Sequence, residues 1–513
     1  MKKVLLLLVL IFVLFGSSAC NKDEDGEKVF ADTVIVAYAD DLDTPNPYGS
    51  TSSSCHFYTN STHSVLIKND YVTGQLVGVL AQTWDDVNGN GTEWRIHLRE
   101  NVKFHDGTTL NADDVVFTWN WAKDVTHEGV VKPINSADKQ VKEIIAEDAN
   151  TVLFKLNYAI PDFPSYLEIK ILSEEAFETM AVADAAAIGT GPYRKGEIKS
   201  GISYGLTRFD DYYEGIEDFP SKNIVVKYIP DGNTAAASLQ AGEIDYCFVI
   251  PTTSYSTLAA DENIEIYNAP GVMSYYIGFN HKRDTWKNVE ARQAIAMAVN
   301  KTDIVNITFE NGIGASVNNN FCVPTGAGYT QVTPIAYNPT GAAELVEENG
   351  LTGSTVTIMA TTFYKTWAET VQANLNAVGF VAEIDFVDSK NWTALKSSYE
   401  YDIYTGDYCS YTGALLHNFN RFFTIGGSSN VYGFESPEWE AMMVEIQTCE
   451  TYSEMVTQFA VMQQWAADNV PVIPIAVNKA IGYANKDVGG VKLAPSYNLQ
   501  ELHYLYKMVP AGR

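Results

Sequence analysis

The segment from Ser354 to Val387 constrains the fold more than any other part of this sequence. It begins with an apolar run rich in β-branched residues, STVTIMA, and ends, after Gly379, with a second one, FVAEIDFV. Apolar side chains at helical spacing lie between them, which predicts a strand, a helix and a strand. A crossover of this length favours parallel pairing of the two strands in an open α/β sheet. The apolar helical positions are Trp367, Val371, Leu375 and Val378.

The end of the first of these strands is a candidate for a binding site. Ligands on open α/β sheets bind beyond the carboxyl ends of the strands. The residues that follow the first strand are Thr361 to Lys365, and they include two aromatic side chains and a lysine. We therefore expect this stretch to face a ligand.

Four other elements are predicted from local patterns. TVIVAYA at Thr33–Ala39 and GVMSYYIGFN at Gly271–Asn280 have the composition of buried strands. Asn111, followed by two aspartates, is typical of a helix N-cap. Helical periodicity also predicts one helix from about Glu290 to Asn306. The buried face of the helix after Asn111 is expected to carry Val115, Trp119 and Ala122.

The N-terminus has the pattern of a secretory signal. Two lysines precede an apolar run from Val4 to Phe15, and small residues then lead to Cys20. The run is shorter than the about 20 apolar residues that cross a bilayer. A cysteine after small residues resembles a lipobox, in which Cys20 receives lipid; an ordinary signal peptide with a bystander cysteine is the alternative. We predict a signal peptide at residues 1–20 and a charged, solvated tether at 21–29.

Composition restricts the classes of partner. A chain of 513 residues exceeds the size of a single core. The net charge of −29 argues against binding of nucleic acid or of an anionic membrane surface. The 30 tyrosines and nine tryptophans suit a cleft that grips varied solutes. Besides Cys20 there are five cysteines without metal-site spacing, so no metal is expected, although one disulfide is possible.

Two short motifs suggest other chemistry. Gly201–Gly205 matches GxSxG, which would make Ser203 the nucleophile of a secreted serine hydrolase. The residues after it predict a strand and a turn, whereas that motif requires a helix. Asp86–Gly91 matches the start of an EF-hand calcium loop, but His97 stands where the loop requires a bidentate acid. A hairpin turn rich in Asn and Gly explains this second motif better.

Four blocks of sequence, in this order, resemble those of the extracellular solute-binding proteins of family 5. Members of that family deliver oligopeptides, dipeptides and related solutes to ABC importers. The first block runs from LAQTW through FHDG to the helix that follows Asn111, and the others contain GTGPY, LQAGEID and YYIGFN with RQAI. The four blocks are Leu80–Val115, Gly189–Tyr193, Leu239–Asp245 and Tyr275–Ala298.

The resemblance implies an α/β, bilobed, periplasmic-binding-protein-like fold of type II with two hinge crossings. Lobe one would comprise residues 30–272, with an extra subdomain inserted at about 55–185. Lobe two would comprise residues 273–479, and residues 480–513 would return to lobe one. Ligand that bridges both lobes would favour a closed state.

The resemblance also implies a binding site in lobe two. Peptide-binding members hold the ligand α-amino group with an acidic residue in a DY-like loop, and Asp407 stands where that residue is expected. Lys365 is our candidate for the ligand carboxylate, and Tyr364, Tyr408 and Tyr411 are candidates for aromatic walls. Two alternatives stay open, in which Asp407 only caps a turn and Lys365 is only a surface lysine.

The expected function is capture of a solute without catalysis. The protein would be a monomeric, lipid-anchored receptor outside the cytoplasm that binds short peptides, needs no cofactor and delivers its ligand to a membrane permease with its ATPase. Three alternatives stay open. The same fold could bind a nickel chelate or a sugar, it could act as a sensor without transport, or the chain could be a hydrolase that uses Ser203.

Overall fold

One mixed sheet of 11 strands runs through the computed structural model of the protein. The predicted signal peptide with Cys20, the tether except residue 29, and Tyr411 lie outside the part of the chain that the structure describes. None of the helices in that part is long and apolar enough to span a bilayer. The described residues are 29–50, 52–70, 75–124, 126–130, 140–388, 392–410, 415–449, 451–494 and 501–509.

The strands of the described residues form the main sheet and three small sheets. From edge to edge, the main sheet has the order β15-β14-β16-β12-β17-β11-β1-β10-β9-β8, and β13 pairs with β17 outside this path. In chain order the strands are β1 (Thr33–Tyr38), β2 (Ile67–Asn69), β3 (Leu76–Gly78), β4 (Ala81–Asp86), β5 (Glu93–Leu98), β6 (Val141–Asp148), β7 (Thr151–Leu156), β8 (Tyr193–Lys199), β9 (Ser203–Arg208), β10 (Asn223–Tyr228), β11 (Tyr246–Cys247), β12 (Ile264–Phe279), β13 (Ala315–Val317), β14 (Thr355–Thr361), β15 (Val381–Val387), β16 (Ile403–Cys409), β17 (Val472–Asn485), β18 (Val488–Gly489) and β19 (Tyr506–Lys507).

The helices cover the main sheet and build the regions around it. Short 3-10 turns lie at Phe163–Tyr166, Thr252–Ser254, Thr362–Tyr364 and Leu502–Tyr504. In chain order the α-helices are α1 (Ser53–Thr62), α2 (Ala112–Ala122), α3 (Glu174–Thr179), α4 (Val182–Ala185), α5 (Gly232–Gln240), α6 (Tyr255–Ala259), α7 (Asp284–Lys287), α8 (Val289–Ala298), α9 (Lys301–Thr308), α10 (Pro339–Glu348), α11 (Lys365–Ala377), α12 (Trp392–Ser398), α13 (His417–Phe423), α14 (Pro437–Ile446) and α15 (Tyr452–Asn469).

The strand–helix–strand unit predicted at residues 354–387 is confirmed. Strands β14 and β15 pair in parallel over their whole lengths, from Thr355 opposite Val381 to Thr361 opposite Val387. Helix α11 connects them and buries its apolar stripe against the sheet. Strand β16 pairs in parallel on the other side of β14. The carboxyl ends of β14 and β16 therefore lie at the same edge of the sheet.

Two long strands occupy the middle of the main sheet. Strand β12 pairs in an antiparallel manner with β17, from Ile264 opposite Asn485 to Gly278 opposite Val472. Their outer neighbours differ, because β16 flanks β12 on one side and β11 flanks β17 on the other. The predicted lobe boundaries at 272/273 and 479/480 fall inside these two strands and stay a prediction.

The predicted strand at Thr33–Ala39 is confirmed as β1, one residue shorter than predicted. It pairs in parallel with β10 and with β11, so it is buried between two neighbours in the sheet. The C-terminal segment returns to this region, where Ala31 donates to the carbonyl of Lys507 at 2.8 Å. Strand β19 therefore lies next to β1.

A separate four-stranded sheet, β4-β5-β7-β6, packs with α2 around its own hydrophobic cluster. The predicted N-cap is confirmed, since the Asn111 side chain accepts from the Asp113 amide at 2.7 Å. Asp114 completes a capping box by accepting from the Asn111 amide at 2.9 Å. Its other oxygen accepts from the Glu174 amide at the start of α3. Burial raises the pKa of Asp114 to about 6.

The prediction of one helix from Glu290 to Asn306 is wrong, because α8 and α9 are separate helices. Val299 has extended backbone angles, with φ −81° and ψ 114°. Asn300 then caps α9 by accepting from the Asp303 amide at 3.2 Å. A side chain that bonds a backbone amide competes with helix continuation, and here that competition ends α8.

Candidate functional site

Asp407 lies near the carboxyl end of β16, with its side chain exposed. It stands opposite Tyr275 of β12 in the antiparallel register. On the other side of β16, the parallel strand β14 ends at Thr361 and leads into the turn Thr362–Tyr364. Asp407 therefore presents an acidic group at the edge where the carboxyl ends of two parallel strands meet, which is where ligands bind on such sheets.

The structure brings Tyr364 and Asp407 together. The Tyr364 hydroxyl donates a short hydrogen bond to the Asp407 carboxylate. Burial raises the pKa of Tyr364, and the charge of Asp407 raises it further. The phenol consequently stays protonated at neutral pH and holds the carboxylate in one orientation. Tyr364 packs edge-on against the buried Trp367 at 5.1 Å, which fixes the ring.

Lys365 follows directly as the first residue of α11, with its side chain 62% exposed. Its ammonium lies 3.9 Å from the carboxylate of Glu369, one helical turn further along. An exposed pair of this kind holds the lysine only weakly. Its role as the partner of a ligand carboxylate stays a prediction.

Tyr408 lies on the opposite face of the sheet from Asp407, because adjacent residues of a strand alternate between faces. It is buried, donates to the carbonyl of Phe321, and stacks on the Phe321 ring at 4.5 Å. Tyr276, Tyr404 and Phe422 belong to the same aromatic cluster. In this structure Tyr408 thus packs in a core, and its assignment as a binding-site wall stays a prediction. Tyr411 lies outside the described residues.

Two further side chains near this edge were not among the predicted site residues. Lys396 of α12 places its ammonium 5.3 Å from the centre of the Tyr404 ring. Burial lowers the pKa of Lys396 to about 8, an effect that the charge of Asp407 opposes. Phe363, which precedes Tyr364, is 78% exposed. Phe363 lies in the stretch expected to face a ligand, whereas no local pattern indicates Lys396.

The characteristic residues of the first and fourth blocks hold loops and helices together. His105 bonds Gly191 O through Nε2 at 3.0 Å and accepts from the Gly189 amide through Nδ1 at 3.3 Å. Burial lowers its pKa to about 4. The buried Arg292 donates to the carbonyls of Trp286, Asn469 and Val470. These contacts give His105 and Arg292 structural roles.

The two competing motifs have structures that do not suit their chemistry. Ser203 is the first residue of β9 and pairs with Lys199 and with Lys227 of the neighbouring strands. A nucleophile elbow needs a strand followed by a helix, so this serine is not placed for that role. Asp86 and Gly91 lie in the β4–β5 hairpin, where the Gly91 amide donates to the Asp86 carboxylate at 2.6 Å.

Metal-ligating side chains do not cluster in the described ranges, where no group of three or more His, Cys, Asp or Glu side chains is arranged to hold an ion. The possible disulfide is absent from the same ranges. All five cysteines there are free, and Cys55 and Cys247 are buried.

Comparison with known proteins decides the family. The model of the bacterial extracellular solute-binding proteins, family 5 Middle, matches residues 75–430, which is more than half of the chain. The chain belongs to this family. The family 5 assignment confirms the resemblance drawn from the four sequence blocks, all of which lie inside the matched range. Strands β12 and β14, which flank β16 and Asp407, lie inside it as well.

Two relatives and one solved structure illustrate the similarity to family 5. Oligopeptide-binding protein AppA of Bacillus subtilis (strain 168) is 29% identical over 315 residues, covering 59% of this chain and 56% of AppA. Glutathione-binding protein GsiB of Shigella dysenteriae serotype 1 (strain Sd197) is 25% identical over 492 residues, 91% and 93% of the two chains. The structure of HbpA2 from Haemophilus parasuis superposes with a TM-score of 0.84 at 22% identity, and the match covers 93% of this chain and 100% of HbpA2. The predicted fold class is thereby confirmed.

Proposed function

We propose that this family 5 protein binds short peptides and delivers them to an ABC importer, and that it breaks no bond in its ligand. The choice of peptides as the ligand class rests on one observation. The carboxylate of Asp407 is exposed at the shared carboxyl edge of β14 and β16, in the position expected for the acid that holds a ligand α-amino group. The name of the relative AppA, an oligopeptide-binding protein, supports the same ligand class.

The geometry around Asp407 suits an ammonium ion. One carboxylate oxygen accepts from Tyr364, so the remaining lone pairs are available to a ligand. A charge-assisted hydrogen bond from an ammonium is about twice as strong as a neutral one. Main-chain hydrogen bonds to an extended peptide would add affinity with little dependence on its side chains.

Closure of two lobes over the peptide completes the proposal. The long strands β12 and β17 are the connections about which the lobes would move. A ligand that contacts both lobes binds the closed state better than the open state, and that difference in affinity shifts the population. The lobes would be residues 30–272 with 480–513, and residues 273–479.

The cellular setting also belongs to the proposal. Lipid on Cys20 would anchor the protein to the outer face of a membrane through the tether at 21–29. From there a monomer would pass its peptide to the permease, which is driven by its ATPase. Release of a nickel chelate or a sugar instead of peptide from the purified protein would replace the ligand class and leave the fold assignment intact.

The decisive experiment combines ligand identification with one substitution. Small molecules released from purified protein are identified by mass spectrometry, and their rebinding is measured by calorimetry. Asp407→Asn keeps the shape and removes the charge, so we expect affinity for the released peptides to fall about 10- to 1,000-fold. Asp385→Asn, an exposed aspartate on the edge strand β15, is the matched control and should bind as the parent does. Unchanged affinity of the Asp407 variant would contradict the proposed contact.

A further inference from the structure

Phe363 is the most exposed of the large apolar side chains in the described part of the chain, at 78%. Tyr364, which follows it in the turn, and Thr361, the last residue of β14, are both buried, whereas Thr362 is exposed. A single exposed apolar residue needs no explanation by itself. The location of Phe363 gives its exposure a meaning.

Phe363 stands beside the site already described. Its ring lies 5.0 Å from that of Tyr364, at an interplanar angle of 85°. The hydroxyl end of the same tyrosine is bonded to Asp407. An exposed apolar surface and an exposed carboxylate are therefore separated by the width of one tyrosine side chain. Both lie at the carboxyl edge of β14 and β16.

We propose that Phe363 is a specificity-determining residue that favours peptides with a large apolar side chain on their first residue. This inference rests on the proposed function, in which Asp407 holds the peptide α-amino group. The amino nitrogen and the first side chain share one Cα atom, with an N–Cα bond of about 1.46 Å. A peptide anchored at Asp407 therefore carries its first side chain into the neighbourhood of the Phe363 ring.

The physical reason for the preference is burial of two apolar surfaces at once. The exposed ring of Phe363 loses its water when an apolar side chain covers it, and a polar side chain at the same place would have to lose its own hydration. The Phe363 ring contacts Tyr364 edge-on, and Asp407 and Trp367 hold Tyr364 in place. That part of the contact surface is therefore ordered before the ligand arrives, which lowers the cost of binding.

The test compares two tripeptides, Phe-Ala-Ala and Ser-Ala-Ala, by calorimetry. We expect the parent protein to bind the first about 10-fold or more tightly than the second. Phe363→Ala should reduce that ratio to less than about 3-fold, mainly by weakening Phe-Ala-Ala, and Phe363→Leu should keep most of it. Phe386→Ala, which removes an exposed phenylalanine from the edge strand β15, is the matched control and should leave the ratio unchanged.

Each outcome of this test separates the two proposals. If the parent binds neither tripeptide nor any other peptide, the proposed function fails. If the parent prefers Phe-Ala-Ala and Phe363→Ala keeps the full preference, only the inference on Phe363 fails. An equal loss for both tripeptides would also overturn it, because it would show that Phe363 packs against protein on closure. Because Phe363 is exposed, the variant should unfold at the same temperature as the parent.

Discussion

At the residue scale, Asp245 illustrates why an acidic residue can belong to a family block without touching a ligand. Its side chain is only 4% exposed. One oxygen accepts from the Lys507 ammonium and the other from the Ile35 amide, each at 2.7 Å. Its carbonyl accepts from Asn485 of β17 at 3.0 Å. This single residue joins β1, β17 and the C-terminal segment.

We predict that Asp245→Ala lowers the free energy of unfolding by about 2–4 kcal/mol. It leaves the partly buried Ile35 amide without its acceptor, and it leaves the Lys507 ammonium with only the Asp487 carboxylate at 3.8 Å. Denaturation in urea measures the change. Asp32→Ala is the control, because it breaks an exposed ion pair. The side chain of Asp32 is 68% exposed and that of its partner Lys222 is 61% exposed. That variant should lose less than about 1 kcal/mol. Equal losses in the two variants would refute the role given to Asp245.

Predictability at this scale depends on whether a residue acts on its own neighbours. Asn111 caps the helix that directly follows it, so the local sequence was sufficient to predict it. Asp407 and Tyr364 are 43 residues apart, and their contact depends on how β14 and β16 pair. Side chains alternate along β16, so Tyr408 points to the face opposite Asp407. The burial of Tyr408 could be predicted only once Asp407 was known to be exposed. Lys396 comes near Asp407 only through the packing of α12.

At the element scale, β12 contains an irregularity where it crosses the middle of the sheet. Its register with β17 shifts between Pro270 and Ser274. The Asn478 side chain fills the gap by accepting from the Met273 amide at 2.9 Å. A Cβ atom on Gly271 would come within 1.9 Å of the same side-chain oxygen. Glycine at 271 thus leaves room for the side chain of Asn478, which bridges the bulge.

We predict that Gly271→Ala destabilises the protein by about 1–3 kcal/mol, because the added methyl group displaces the Asn478 side chain and leaves the Met273 amide unpaired. Denaturation in urea, done for both single variants and for the double variant with Asn478→Ala, tests the cause. Asn478→Ala removes the group that the methyl group strikes, so the double variant should lose less than the sum of the single losses.

The control for that cycle is Gly314→Ala, in which the nearest atom to the new Cβ would be 3.5 Å away. Ordinary van der Waals contact at that distance predicts a change of less than about 1 kcal/mol. Strict additivity of Gly271→Ala and Asn478→Ala would contradict the proposed clash.

Elements were predicted well where the pattern and the caps agreed. The unit at residues 354–387 combines apolar periodicity with the stop at Gly379, and both of its strands and its helix are present. The predicted helix at 290–306 had continuous periodicity, but Asn300 caps a second helix within it. Periodicity alone does not distinguish one helix from two helices that share a buried stripe.

At the scale of the whole molecule, the order of the main sheet depends on contacts that no window of sequence contains. Strands β12 and β17 pair although about 200 residues separate them. Likewise β1 pairs with β10 and β11. The family blocks predicted the architecture, because they identify the fold as a whole. Local patterns predicted the parallel unit, single strands and the helix that Asn111 caps.

The buried and half-buried histidines give the whole molecule a predicted sensitivity to acid. Burial is the main cause that lowers the pKa of five of the eight histidines. The pKa is about 3 for His281 and about 4 for His105, His417 and His503, and it is also lowered for His63. The folded state therefore keeps these rings neutral at pH values where the unfolded chain binds protons. Their contribution to stability is complete above about pH 6.5 and is lost as the pH falls toward 4.

Two buried carboxyl groups oppose this effect. Burial raises the pKa of Asp114 and of Asp162 to about 6, so the folded state gains stability as they take up protons below that pH. Five histidines outweigh two aspartates, and we predict a net loss on the order of 2–4 kcal/mol per pH unit near pH 5. Urea denaturation between pH 7.5 and 4.5 measures the slope.

A single substitution tests how much His281 contributes to this pH dependence of stability. The His281 ring bonds the carbonyl of Pro471 through Nε2 at 2.9 Å, and a glutamine amide can donate in its place. His281→Gln cannot take up a proton in the unfolded chain, so its stability should decline less steeply, by about 1 kcal/mol per pH unit near pH 5. The same slope in parent and variant would show that His281 is protonated equally in both states. In that case burial of its ring would not contribute to the acid sensitivity of the molecule.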